Sequence, residues 1–320
     1  MVRREKKQIS LADAIIYQRT PKNNVLEKID AQVNWEPLRQ CLEKLYRLEG
    51  PGRPAFPVLT LFKVLLLQNL YSLSDPATEE AIADRLSFRR FLKLNLDEHV
   101  PDHSTLHRFR DRIAPVMKQL FEMVTQQLEA KGLILKKGTL VDASIIASAA
   151  VPPPKGQSSH DSGASWTRKR GKYYYGYKAH VGVDQDSGFI RKADLSTASQ
   201  HDTHSFIGMV SGDEESVYAD KAYRGKKKWL KKQGIVDGIK VQATQQHPIL
   251  PPEVVAFNHA VEKVRKAVER VFGTLKRHYH FERCRYFKLL RNRCHFLILC
   301  VCFNLKREIK VQASGELPIT

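Results

Sequence analysis

Three carboxylates stand where they could act together on a phosphate. Asp142 closes the short apolar run Gly138-Thr-Leu-Val-Asp, and Asp220 closes a second, Ser216-Val-Tyr-Ala-Asp. Runs of this kind suit buried strands. If the two are neighbours in one sheet, their carboxylates converge at its carboxyl edge, where α/β sheets place their sites. Glu269 lies in the stretch 253–282, whose Val261, Val264, Val268, Val271, Phe272 and Leu275 fall within about 100° of one another on a helix. A helix packed on the sheet by that stripe could bring Glu269 to the same place. Three acids at one point repel unless a cation intervenes, and hard oxygen ligands suit Mg2+ or Mn2+. Two such ions about 3.5–4 Å apart activate an attacking oxygen and stabilise a leaving one in phosphoryl transfer.

The helix taken alone supports a plainer reading. Arg265, Glu269 and Lys276 lie within about 40° of each other, because steps of four and seven residues nearly close whole turns. A solvated ion-pair ladder accounts for them as well. Further acids (Asp184, Asp186, Asp194, Asp202 and Asp213 to Glu215) sit in turns or charge runs and read as solvated. Spacing by itself therefore does not single out one set. Other chemistries find less support, with no serine–histidine or cysteine–histidine arrangement in context and no G-x-x-x-x-G-K phosphate loop. Cys41, Cys284, Cys294, Cys300 and Cys302 form no C-x-x-C pair, which argues against a zinc module. The last three lie in the apolar run CHFLILCVCF and read as buried reduced thiols. An odd count without a secretory signal points to a reducing cytoplasm.

The elements that must position these groups fall into two regions. Residues 1–131 read as an all-helical domain. Helices are expected over Leu11–Gln18, Trp35–Leu48 and Phe56–Tyr71, from a cap at Asp75-Pro76 through Arg85, and as one long helix after Pro101 with Asp102 or Ser104 as its cap. A turn is expected over Phe88–Leu94. Residues 132–320 read as a mixed α/β domain with antiparallel and crossover connections. In order come the strand to Asp142, a Pro-, Gly-, Ser- and base-rich loop over 151–172 expected to be mobile, and a hairpin of Tyr173–Asp184 with Phe189–Ser196. A helix over Asp202–Val210, the strand to Asp220, a basic helix over Lys226–Lys232 and a strand over Ile239–Ala243 follow. The helix of 253–282 and a last one around His295–Arg307 complete the chain. The longest apolar stretch, Val58 to Leu73, is interrupted by Lys63 and Gln68, too short and polar to span a bilayer.

Charge names a partner class. The chain carries 53 Lys+Arg against 34 Asp+Glu, a net +19, and an excess of this size suggests a polyanion. In His103-Ser-Thr-Leu-His-Arg-Phe-Arg-Asp-Arg112, Arg108, Arg110 and Arg112 crowd two helical turns that could meet phosphates, with Leu106, Phe109 and Ile113 turned inward. Lys221, Tyr223 and Arg224 follow Asp220 directly and could touch DNA near a scissile phosphate, or form a polar turn. His201-Asp202 reads as a helix cap. Trp166, Arg168, Lys169 and Arg170 could stack on or grip DNA from the loop, although a solvated linker explains them more simply.

Several longer stretches carry a family resemblance. In the first region they are GRPAFPVLTLFKVLLLQNLYSLSD and RLSFRRFLKLNLDEHVPDHSTLHRFR. In the second they are LVDASIIASA, YYGYKAHVGVDQDSGFI, VYADKAYRG and VRKAVERVFGTLKRHYHFERCRY. Together they cover most of residues 50–305, and the chain resembles bacterial insertion-sequence transposases of the DDE class, close to the IS-five family of the IS-four-like superfamily. The resemblance implies an RNase H-like catalytic domain behind a helical DNA-binding domain, with Asp142, Asp220 and Glu269 as ligands of two Mg2+ ions (or Mn2+). Related families carry a tyrosine–arginine–glutamate–lysine signature. Arg265, Glu269 and Lys276 match its last three members, and Glu262 stands at the tyrosine position. Arg265 and Lys276 would then hold phosphates of the transposon end. The implied activity is binding of terminal inverted repeats, metal-dependent strand cleavage, and transfer to target DNA without a covalent protein intermediate. A homodimer or larger assembly in the bacterial cytoplasm, associated with the nucleoid, goes with it. A silent DNA-binding repressor and a general metal-dependent nuclease of the same fold are the alternatives.

Overall fold

A helix whose every residue is buried, Val58–Leu70, organises the first half of the chain. The computed structural model describes residues 10–19, 24–46, 56–154, 157, 159–243, 245 and 248–315. The chain divides into two units, Met1–Gln127 with Val301–Gly315, and Leu128–Cys300 with Glu316–Thr320.

In the first unit the helices are α1 (Leu11–Arg19), α2 (Asn24–Gln32), α3 (Trp35–Glu43), α4 (Val58–Leu70), α5 (Asp75–Asp84), α6 (Leu86–Leu92), α7 (His103–Ile113) and α8 (Met117–Ala130), whose last residues fall in the second unit. A helix this apolar belongs in a core, and two of its buried polar side chains, Lys63 and Gln68, reach out to other elements there. Lys63 pairs with Asp30 at 2.5 Å. Gln68 accepts from Arg110 at 3.0 Å and donates to Asp75 at 2.5 Å. Several expectations change. α2 has no counterpart in the sequence reading, and the expected turn at Phe88–Leu94 belongs largely to α6. Ser74, not Asp75, caps α5, accepting from the Ala77 amide at 3.2 Å. The single helix expected after Pro101 is two, because Pro115 cannot continue one. Leu48, expected at the end of α3, lies outside the described residues.

The second unit is built on a six-stranded mixed sheet of β1 (Thr139–Ala147), β2 (Ser165–Lys169), β3 (Lys172–Asp184), β4 (Ile190–Thr197), β5 (Ser216–Ala219) and β6 (Val236–Ile239). The order is β2-β3-β1-β5-β6, and β4 also pairs with β3. β1 runs antiparallel to β3 and parallel to β5, and β5 runs parallel to β6. This is a mixed sheet with antiparallel and crossover connections, as expected for the region. On one face, α9 (Asp202–Phe206), a 3-10 turn over Lys221–Lys226 and α10 (Lys227–Lys232) enclose Val141, Phe206, Val217, Ala219, Tyr223, Leu230 and Ile239. α11 (Pro252–Tyr279) packs against β1 and β5, with Val261, Val268, Val271, Phe272 and Leu275 buried as its stripe predicts.

Four boundaries in this unit differ from the sequence reading. β1 continues five residues past Asp142, because β3 supplies a ladder partner for every residue to Ala147. β6 starts three residues earlier than expected and stops at Ile239; the backbone of Val241 turns instead to the Asn258 side chain of α11. The segment 151–172 is not loop throughout, since its end forms β2. The last helix, α12, spans Leu289–Ser314, and its residues from Val301 belong to the first unit, where Cys302 Sγ lies 3.8 Å from the Leu66 carbonyl. All five cysteines are buried, and none is in a disulfide among the described residues. Among the described residues no helix is long and apolar enough to cross a membrane.

Candidate active site

The β1–β5 register decides which acids meet. Parallel pairing of Thr139 with Val217, Leu140 with Tyr218 and Val141 with Ala219 makes Asp142 and Asp220 the next pair in line. There the strands part: β1 continues along β3, while the chain after Ala219 turns into the 3-10 segment. Asp142 is therefore a mid-strand residue rather than the strand end expected from sequence. Its position is fixed by pairing with Val181, and its Oδ1 accepts from the next amide at 2.8 Å. Asp220 caps the 3-10 segment, accepting from the Lys221 amide at 2.8 Å.

Side chains alternate across a strand. Val141 joins the core under α9 and α10, so Asp142 points to the opposite face, where α11 lies. There Arg265 meets both acids, with Nη2 3.2 Å from Asp142 Oδ2 and Nη1 4.0 Å from Asp220 Oδ1. Arg265 is expected at a phosphate, but it is buried and turned to the two carboxylates, since a buried charge requires a counter-charge. Its Nε has no hydrogen-bond partner among the described residues. Burial pushes the Asp142 carboxyl above the usual carboxylate range, while the Arg265 charge works against that rise.

Glu269 stands one turn further along α11, exposed and in no ion pair among the described residues. The solvated ladder that the helix alone suggested does not form, since Arg265 is taken by the aspartates. Lys276 is half-buried, and burial lowers its pKa, with Glu282 opposing the change. It has no ion-pair partner among the described residues, so it is a cation with capacity for an anion. Glu262, at the signature tyrosine position, pairs with Lys240 just after β6 at 3.2 Å. Lys221 and Arg224 are exposed beside Asp220, and Tyr223 between them is buried. Burial raises the Tyr223 phenol, reinforced by Asp202, Asp142 and Asp220. His201 caps α9 as expected, and Asp202 lies 2.9 Å from Lys178.

The donor set matches a hard divalent cation. Asp142 and Asp220 offer carboxylate oxygens from adjacent strands, and a positive charge, the Arg265 guanidinium, already sits between them. Among the described residues, no group of three or more His, Cys, Asp or Glu side chains is arranged as a metal site. Glu269 is thus the member not gathered with the other two.

In the helical unit the three candidate arginines part ways. Arg110 is buried and bound to Asp75 at 2.6 Å, so its role is to neutralise an internal acid, which corrects the expectation of a DNA contact. Arg108 is exposed and donates to Ser104 Oγ at 3.0 Å. Arg112 is exposed and stacks over Tyr46, 4.3 Å from the ring centre. Sequence reasoning missed Asp161 altogether. It is fully buried and accepts from Ser148 Oγ at 2.7 Å, Tyr177 Oη at 2.5 Å and the Lys288 amide at 2.7 Å. A single acid in a Ser- and Gly-rich segment carries no signal of burial.

A family model described as "Transposase DDE domain" matches residues 135–305, more than half of the chain. A second, "Transposase domain (DUF772)", matches residues 14–112. Among solved structures, the cryo-EM structure of a piggyBac transposase synaptic complex with hairpin DNA is similar at 9% identity and a TM-score of 0.44. The match covers 96% of this chain and 77% of that one.

Proposed function

The chain belongs to the DDE transposases, and on that premise we propose that Asp142, Asp220 and Glu269 form its catalytic centre. It is a DNA transposase, of a family that generally uses divalent metal ions. The observation that carries the assignment is the pairing of Asp142 with Asp220 around one buried cation at the edge of the sheet. Asp142 is held by its pairing with Val181 of β3 and Asp220 by its own cap, so the two oxygens are pre-positioned. Glu269 is exposed and in no ion pair among the described residues, so no contact there holds it away from the other two. These three would hold two Mg2+ ions, with Mn2+ as a substitute, and such ions lower the pKa of an attacking water or hydroxyl and stabilise the leaving oxygen. Arg265 neutralises the two aspartates. Lys276, Lys221 and Arg224 hold phosphates around the cut, and Arg108 and Arg112 of the helical unit bind the terminal inverted repeats. Water cuts the strand and the freed 3′-hydroxyl attacks target DNA, so no protein nucleophile is required. Two ends must be held together, which calls for a dimer or larger assembly.

The test is strand cleavage and transfer by the full chain with Mg2+ on oligonucleotides carrying the repeats of its element. The reading predicts cutting and joining that require the repeats and vanish in Asp142→Asn. Equal cutting of DNA without repeats would mark a general nuclease, and specific binding without cutting a repressor.

A further inference from the structure

The segment 151–172 ends in a two-stranded finger. β2 and the start of β3 pair Trp166 with Tyr175, Thr167 with Tyr174, Arg168 with Tyr173 and Lys169 with Lys172. Arg170 and Gly171 close it at φ 51° and 80°, the left-handed pair that a two-residue type I′ turn demands. Opposed residues share a face and faces alternate. One face of the finger therefore carries Trp166, Tyr175, Arg168 and Tyr173, and the other carries Tyr174, Lys169 and Lys172. On the first face the Trp166 and Tyr175 rings lie 5.3 Å apart, and the Arg168 guanidinium sits 5.5 Å from the Tyr173 ring centre.

Trp166 is 46% and Tyr173 67% exposed, a large aromatic area to leave in water. Both rim a cavity of about 830 Å³, within the range of small-ligand sites. Gln157, Ser162 and Ser165 add hydrogen-bonding groups to its wall. The three donors on Asp161 tie that wall to β1, β3 and the start of α12, so the cavity is braced. Arg168, Lys169, Arg170 and Lys172 are exposed at the tip, and none is in an ion pair among the described residues. Lys169 is close enough for its charge to act on both Asp142 and Lys276. Four unpaired cations select a polyanion. The aromatic face narrows the choice further, because a duplex hides the faces of all but its terminal bases, whereas a single strand offers every base for stacking on a side chain.

We propose that this finger binds a single-stranded stretch of DNA beside the catalytic carboxylates, an unpaired base stacking on Trp166 and Tyr173 while the tip cations hold the adjoining phosphates. Only the word catalytic rests on the functional reading above; the binding does not. The test is anisotropy of the full chain with a fluorescein-labelled oligothymidine and with a blunt duplex of the same length, at one salt concentration. Trp166→Ala combined with Tyr173→Ala should weaken oligothymidine binding roughly tenfold or more, leave duplex binding within about twofold, and be largely rescued when Trp166→Phe replaces Trp166→Ala. Wild-type affinity for oligothymidine in the alanine variant, or equal loss on both DNAs, would overturn the proposal. If that variant does not fold, photocrosslinking of wild-type chain to an iododeoxyuridine oligonucleotide decides: a link to Trp166 or Tyr173 supports the site, and links only elsewhere reject it. A chain that binds oligothymidine through Trp166 but never cuts repeat DNA would sink the catalytic reading alone.

Discussion

Arg265 should be energetically coupled to Asp142, and the coupling can be measured. Arg265 is 8% exposed, and its guanidinium lies 3.2 Å from Asp142 and 4.0 Å from Asp220. Arg265→Met keeps most of the side-chain bulk and removes the charge, leaving two carboxylates facing each other. Breaking a fully buried pair this way costs roughly 3–5 kcal/mol. Asp142 and Asp220 keep 23% and 43% of their side-chain surface, so water recovers part of that, and about 2 kcal/mol is expected. In an Asp142→Asn background the same change removes a charge with only the more exposed Asp220 to answer it. It should then cost about 1 kcal/mol less. The assay is urea unfolding of wild type, both single variants and the double variant, in EDTA so that no metal replaces the missing cation. Costs that add within about 0.5 kcal/mol would refute the coupling. So would an Arg265→Met chain as stable as wild type.

Two further outcomes follow from burial. Arg110→Ala should destabilise the chain by roughly 3 kcal/mol, because it strands Asp75 in a buried network, whereas Arg108→Ala should stay within about 0.5 kcal/mol of wild type yet weaken repeat binding and flatten its salt dependence; thermal melts and salt-series binding separate the two. His180 is buried against Ser196 at 2.8 Å, and burial pushes its pKa down to about 4 although Asp202 and Asp194 oppose the shift. Between that value and the ordinary ~6.5 the unfolded chain binds the proton and the folded chain does not, so stability is fully present above the upper limit and falls as pH drops towards the lower. The loss is on the order of 3 kcal/mol, and unfolding midpoints from neutral pH to about pH 4.5 should show it in wild type and much less of it in His180→Gln.

Period and turn chemistry made much of this architecture legible. The hairpin of β3 and β4 and the valine stripe of α11 were readable because alternation and helical spacing report burial directly. The parallel neighbours β1 and β5 were readable only as a condition, since two apolar runs do not state which strands pair. Three features escaped for identifiable reasons. β1 outlasts Asp142 because β3 provides partners through Ala-Ser, residues with little strand preference of their own. The finger was hidden in composition, its basic residues masking the aromatic face that the Arg170-Gly171 turn brings together across two strands. Arg110 and Arg265 look like surface bases in sequence, and only the packing of Asp75 and Asp142 against them turns them inward. At the site, residue types and their approximate place were legible, and the bridge between Asp142 and Asp220 was not.

The most direct test of the central claim is Glu269→Gln, because Glu269 is exposed and makes no ion pair among the described residues, so its loss should not disturb the fold. The measurement is Mg2+-dependent strand cleavage of repeat DNA by the wild-type and variant chains, with unfolding curves taken on the same preparations. The account predicts stability within about 0.5 kcal/mol of wild type and a cleavage rate down by about 100-fold or more, ~2.7 kcal/mol of transition-state stabilisation. A stable Glu269→Gln chain that cuts at the wild-type rate would contradict it.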